Sequence, residues 1–212
     1  RCPWDRVQVP ETILPHTIEE AFEVAEAFRS GDPERQIDEI GDLLFQSVIL
    51  ARILEEDGVA DLASVAGIQA DKLISRHPHV YGDAVAADAR DVRGLWETQK
   101  RAARGGEIFH EVPAGLSALA FSSKLQKRAA AIGFVFPSVE DALAKLVEEV
   151  DELRAAPDAD EVGDVLFAAI AVARALQVDA ELAVRFSATK FRDRVDRAAS
   201  MAAAEGRTFE DL

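Results

Sequence analysis

Cysteine occurs once in the 212 residues, at Cys2. The chain therefore closes no disulfide of its own and carries no Cys-based zinc spacing, which fits a reducing compartment. Basic charge is scarce: 24 Lys and Arg stand against 39 Asp and Glu, a net charge of -15. That balance excludes a binder of duplex nucleic acid, which needs a basic face. It leaves room for a small anionic ligand carried together with a metal ion. Long uncharged apolar runs and a secretory leader are absent, so no membrane association is expected and the protein is expected in the cytoplasm. The chain opens at Arg1 rather than Met, and the expectation is a longer parent protein. No P-loop, Rossmann glycine pattern or nucleophile elbow occurs, and no stretch alternates with a strand period. Aromatic residues make up 7% while apolar residues make up 49%. Such a composition suits helices and can fill a core.

What the chain has instead is a carboxylate pattern written twice. The first copy reads EEAFEV and then DEIGDLLFQSVILAR; the second reads EEVDEL and then DEVGDVLFAAIAVAR. The acids are Glu19, Glu20, Glu23, Glu39 and Asp42 in the first, and Glu148, Glu149, Glu152, Glu161 and Asp164 in the second. Residues three apart share a helical face. Two such faces packed together make an oxygen cage of the kind that holds Mg²⁺ beside a phosphate. Each ExxD runs directly into an apolar stripe, which places the acids at the edge of a buried face, where a cation compensates them. The iron sites of four-helix carboxylate proteins use an ExxH pair; here Asp takes the second position in both copies. Hard oxygens without imidazole favour Mg²⁺, with Mn²⁺ as a substitute. Within each set, Glu20 and Glu149 are the expected proton acceptors for an activated water.

The hydropathy pattern predicts helices only. They are expected over 17–30, capped by Thr17, then 32–57, 60–76 and 89–103, and in the second half over 114–132, 138–155, 159–176 and 180–204. Ile37, Ile40, Leu43, Leu44, Val48 and Ala51 form the expected buried stripe of the second helix. The fold class is all-α, with a helical module at 1–104, a linker at 105–113 around Gly105-Gly106, and a second module at 114–212.

Basic residues lie beside the acids in sequence. Lys72, Arg76, Lys100 and Arg101 flank the first set; Lys124, Lys127, Arg128, Lys190 and Arg194 flank the second. Singly each is ordinary surface charge. Together they suit a polyphosphate whose charge is shared between metal and cations. His77 and His79, either side of Pro78, read as loop histidines, and Trp4 and Trp96 as core or groove residues.

CPWDRVQ, EEAFE, EIGDLLFQ, KLISRHPHVYG and WETQK, followed by KLQKRAAAIGF, EEVDE, EVGDVLFA and KFRDR, resemble the MazG family in kind and in order over nearly the whole chain. The resemblance implies an all-α, Mg²⁺-dependent pyrophosphohydrolase that converts nucleoside triphosphates to monophosphates and pyrophosphate. It also implies a homodimer in which two subunits complete each four-helix active-site bundle. The family's metal-binding acids fall on the ten acids above, and its phosphate-side cations on Lys124, Lys127, Lys190 and Arg194. The departures are a short spacer at 153–160, Phe134-Val135-Phe136 where the family carries Asp-Trp, and Ala188-Thr189 where an Asn precedes KF. Two further readings stand beside the enzyme: a regulatory module that binds Mg-nucleotide without turnover, and a structural helical dimer.

Overall fold

The computed structural model describes residues 2–88, 91–92, 94–96, 108–109 and 112–208. Among these every regular element is helical. The chain divides into two compact units, Arg1–Lys100 and Arg101–Leu212. The expected linker at 105–113 and the expected helix at 89–103 fall largely outside the described residues.

In the first unit a 3₁₀ turn at Asp5–Val7 leads into α1, Pro10–Ser30. The helix begins seven residues before the expected cap at Thr17. Pro10 at the first helical position needs no amide partner, and the Thr12 hydroxyl oxygen accepts from the Val9 amide at 3.1 Å. Thr17 instead donates its hydroxyl back to the Ile13 carbonyl at 3.2 Å, a bond that serves a helix interior as well as a cap serves its end. Gly31 takes φ +73°, a left-handed stop. Asp32 then caps α2, Pro33–Glu56, by accepting from the Glu34 amide at 3.0 Å. After Asp61, whose Oδ1 accepts from the Ser64 amide at 2.7 Å, α3 runs over Leu62–Arg76 and α4 makes one turn, Pro78–Tyr81. α1 and α2 form an antiparallel hairpin, and α3 packs on α2.

The second unit holds α5 (Ala118–Ala130), α6 (Val139–Ala155), α7 (Ala159–Ala175) and α8 (Ala180–Ala204). Ser138 caps α6 where that helix is expected to begin: its hydroxyl accepts from the Asp141 amide at 3.1 Å and donates to the Asp141 carboxylate at 2.7 Å. α6 and α7 are the second hairpin; α5 packs on α7 and α8.

The two hairpins differ in length but not in design. α1 runs seven residues past Glu23 and α2 starts six before Glu39. α6 runs only three residues past Glu152 and α7 starts two before Glu161. The short spacer is thus the loss of four residues, about one helical turn, from each arm, which leaves the facing sides unchanged.

The buried apolar residues are few and small. Ile13, Ala27, Ile49 and Ala51 serve the first unit; Ala142, Ala168, Ile170, Ala171, Ala180 and Ala202 serve the second. Here the expected stripe is corrected. Ile37, Ile40, Leu44 and Val48 are exposed, Ile37 to 73%, and only Ala51 of the six is buried. Leu43 is half-buried, and α1 and α3, which both pack on α2, leave the rest of the stripe uncovered. The second unit repeats this with Leu143, Val147, Val162 and Leu166 exposed.

Candidate active site

Each hairpin brings three acids together. In the first unit Glu20 and Glu23 of α1 meet Glu39 of α2; in the second Glu149 and Glu152 of α6 meet Glu161 of α7. Within each group one carboxylate oxygen per residue lies within 4.8 Å of the others. Helical spacing explains it: positions three and four apart project on one side, and a tight antiparallel turn sets the two sides opposed.

The remaining acids sit around these groups. Glu19 lies 3.5 Å from His16 Nδ1, and Glu39 lies 3.5 Å from Arg35. Glu148 accepts from Lys145 Nζ at 2.7 Å, and the same ammonium stands 2.8 Å from Glu149. Asp42 and Asp164 continue the α2 and α7 faces one turn on, outside the closest set. The expected basic residues are dispersed. Lys72 and Arg76 lie on α3, where Arg76 stands 5.8 Å above the Trp96 ring, and Lys100 lies outside the described residues. Lys124, Lys127 and Arg128 lie on α5, and Lys190 and Arg194 on α8. His77 donates Nδ1–H to the Leu73 carbonyl at 2.6 Å and meets His79 at a tilt and Trp96 edge-on, a structural cluster beside α4.

Electrostatics in the two groups follow from crowding. Burial, aided by a hydrogen bond with Glu20 and by repulsion from Glu20 and Glu19, pushes Glu23 above the usual carboxylate range. Burial and the charges of Asp158, Asp164 and Glu149 raise Glu161. Its hydrogen bond with Glu149, followed by burial, raises Glu152. Glu149 goes the other way: 8% exposed, it is lowered by the Lys145 ammonium, while Glu148 and Glu149 raise Lys145 in turn. Oε2 of Glu161 is buried without a hydrogen-bond partner. An oxygen left unpaired among like charges is costly unless a cation takes it up. The residues present therefore fit a small, hard divalent ion, as Mg²⁺ or Mn²⁺ is.

The second group opens on a cavity of about 820 Å³. Lys145, Glu149 and Asp164 line its acidic end, and the rest of the wall is mostly apolar, with Phe109, Phe134, Phe136 and Phe167 among its side chains. Gln126 of α5 reaches in and donates Nε2–H to the Phe167 carbonyl at 2.8 Å. Arg174 closes the far end of α7. Sequence reasoning missed Lys145, Gln126 and Arg174. The signal for two of them lay in the repeat. Lys145 stands three residues before the EExxE motif, where His16 stands in the first copy, and Arg174 ends the second DEVGD segment as Arg52 ends the first.

The described residues form helices only and set acids together in two hairpins, and the comparisons give the class, hydrolases acting on acid anhydrides. Residues 8–81 match the MazG nucleotide pyrophosphohydrolase domain. The nucleoside triphosphate pyrophosphohydrolase of Escherichia coli K12 is 36% identical over 97% of this chain and 83% of its own length. The nucleoside triphosphate pyrophosphohydrolase/pyrophosphatase MazG of Thermotoga maritima is 34% identical over the whole chain and 84% of its own length. The uncharacterized protein YabN of Bacillus subtilis is 35% identical over the whole chain, which covers 45% of it. The chain belongs to the MazG nucleotide pyrophosphohydrolase family.

Proposed function

We propose that the protein hydrolyses nucleoside triphosphates to monophosphates and pyrophosphate, and that the second unit carries the turnover. The observation that carries this reading is the junction of an acid group with a largely apolar cavity of about 820 Å³. An acid group alone holds a cation. A neighbouring cavity with phenylalanine walls gives a planar base somewhere to go, and its volume suits a ligand of nucleotide size. The names of the Escherichia coli and Thermotoga maritima relatives support the same chemistry.

Glu149, Glu152, Glu161 and Asp164 would hold Mg²⁺ in the second unit, with Glu148 beside them. Glu20, Glu23, Glu39 and Asp42, with Glu19 beside them, would do so in the first. A bound Mg²⁺ supplies Lewis acidity, lowering the pKa of water and offsetting phosphate charge. Glu149, kept ionised by Lys145, accepts the proton of the attacking water, and Glu20 has the equivalent place in the first unit. Lys124, Lys127, Arg128, Lys190 and Arg194 serve the departing pyrophosphate, as Lys72, Arg76 and Lys100 would in the first module. The modules span 1–104 and 114–212, and a cytoplasmic role in clearing the nucleotide pool fits such chemistry. Among the described residues no helix is long and apolar enough to cross a membrane.

The test is product analysis with α- and γ-labelled triphosphates under Mg²⁺. Monophosphate and pyrophosphate are expected as the only products. Diphosphate with free phosphate would exclude attack at the α–β linkage, and binding without any product would leave a regulatory module.

The exposed apolar faces of both hairpins support a homodimer with like modules paired about a two-fold axis. Light scattering at high concentration is expected to give twice the 23.0 kDa chain mass. Ile40→Glu with Leu44→Glu, both on the exposed side of α2, is expected to return the monomer. A wild-type chain that remains monomeric throughout would overturn the pairing.

A further inference from the structure

The two copies of the repeat treat their last residue differently. Arg52, at the end of DEIGDLLFQSVILAR, is saturated by its own helix: Nη1 donates to Glu55 at 2.8 Å and Nε to Glu56 at 3.0 Å. Arg174, at the end of DEVGDVLFAAIAVAR, is followed at those offsets by Gln177 and Val178. Among the described residues it has no carboxylate partner. It is half-buried at the wall of the apolar cavity, and burial alone lowers its hold on the proton. A guanidinium in apolar surroundings, in a chain of net charge -15, with no acceptor among the described residues, is arranged for a ligand that brings one.

Its position says which part of the ligand. Asp164 and Arg174 both line the cavity and lie ten residues apart on α7, about 15 Å along a helix axis. With the phosphates at the acid group, that guanidinium meets the base edge and not the phosphates. Oε1 of Gln126, which also lines the cavity, is buried with no partner, while its amide nitrogen donates to the Phe167 carbonyl. The cavity thus presents a fork of donors and one acceptor on its wall.

We propose that Arg174 is a specificity-determining residue that selects 6-oxopurine nucleotides, the guanine and hypoxanthine class. This rests on the pyrophosphohydrolase reading of the second unit. A guanidinium meets O6 and N7 of a 6-oxopurine with two parallel hydrogen bonds. Adenine turns an amino donor toward the same fork, donor against donor, which is a repulsive element of selectivity. Pyrimidines lack the five-membered ring that carries N7. Gln126 Oε1 accepts from the N1–H edge.

The experiment measures binding by calorimetry on the full chain with Mg²⁺, using α,β-methylene GTP and α,β-methylene ATP, which cannot be cut at the α–β linkage. The guanine analogue is expected to bind about tenfold more tightly, the effect of one good bidentate contact. Arg174→Lys, which keeps charge but loses the fork, and Arg174→Met are expected to weaken the guanine analogue and abolish the difference between the two, with the adenine analogue binding no more weakly than before. Equal affinity of the two analogues for the wild type, absence of binding by either, or equal weakening of both in Arg174→Lys overturns the assignment. Pyrophosphate release from GTP is followed in parallel. Selective binding without release would sink the hydrolase reading and leave the role of Arg174 standing.

Discussion

Glu149→Ala combined with Glu152→Ala is expected to lower kcat/KM for a triphosphate by about a thousandfold, whereas Glu20→Ala combined with Glu23→Ala leaves it within about threefold. A thousandfold corresponds to about 4 kcal/mol of transition-state stabilisation, the size of contribution expected from a metal site that polarises phosphoryl oxygens. The asymmetry follows from what surrounds each acid group. Both groups assemble to the same closeness, so cage geometry does not separate them. The second group opens on the apolar cavity, with Lys145 and Arg174 in its wall. Steady-state kinetics on the two double variants, with far-ultraviolet circular dichroism to show intact helices, makes the comparison. Loss of turnover in the first pair and its survival in the second would reverse the assignment.

Chelation is expected to abolish turnover entirely, and added Mg²⁺ or Mn²⁺ to restore it. Full activity in EDTA would sink the metal-assisted reading. The same ions should raise the melting temperature by several degrees at a concentration of about 100 Kd, since a ligand confined to the folded state contributes about 2.7 kcal/mol there. The effect depends on pH in a definite direction. Glu23, Glu152 and Glu161 have carboxyls raised above their ordinary value, so on acidification they take up protons before an isolated glutamate does. Metal must displace those protons, and the Mg²⁺-dependent rise in melting temperature shrinks as pH falls toward that raised range. Without metal the sign inverts for these three residues. Their raised values contribute stability below the unfolded-state value and lose it as pH rises through the folded one. A Mg²⁺ shift that grows on acidification would contradict the crowding of these acids.

The sequence displayed the all-α class, because periodicity at 3.6 residues is a local property and every described element obeys it. The helix starts at Asp32 and Ser138 were legible for the same reason: a side chain and an amide two or three residues away need no tertiary information. Thr17 misled because a hydroxyl serves a cap and a helix interior alike, and only Pro10 and Thr12 settle which applies. The acids were legible as a pattern, and the structure draws three from each copy into close contact. The exposure of Ile37, Ile40, Leu44 and Val48 was not legible, because an apolar stripe does not say whether its cover comes from the same chain. The cavity was hidden as well. It needs Phe167 of α7, Gln126 of α5 and the Phe134–Phe136 segment in one place, and no spacing rule joins residues so far apart.

The shorter second hairpin has a consequence for how this protein could diversify. About 10 Å of helix separates Glu23 from the turn at Gly31, but only about 5 Å separates Glu152 from the turn at 156–158. In the second unit the turn is also tied to the acids directly. Asp158 accepts from the amides of Asp160 and Glu161, each at 2.9 Å, so its conformation sets where Glu161 begins. Residues grafted between Ala156 and Asp158 would stand at the mouth of the acid group, close enough to touch an incoming triphosphate. The same graft at Gly31 would extend a distant tip. An insertion at the turn would therefore meet the acid group in one copy of the repeat and stand clear of it in the other, a difference made by a single helical turn.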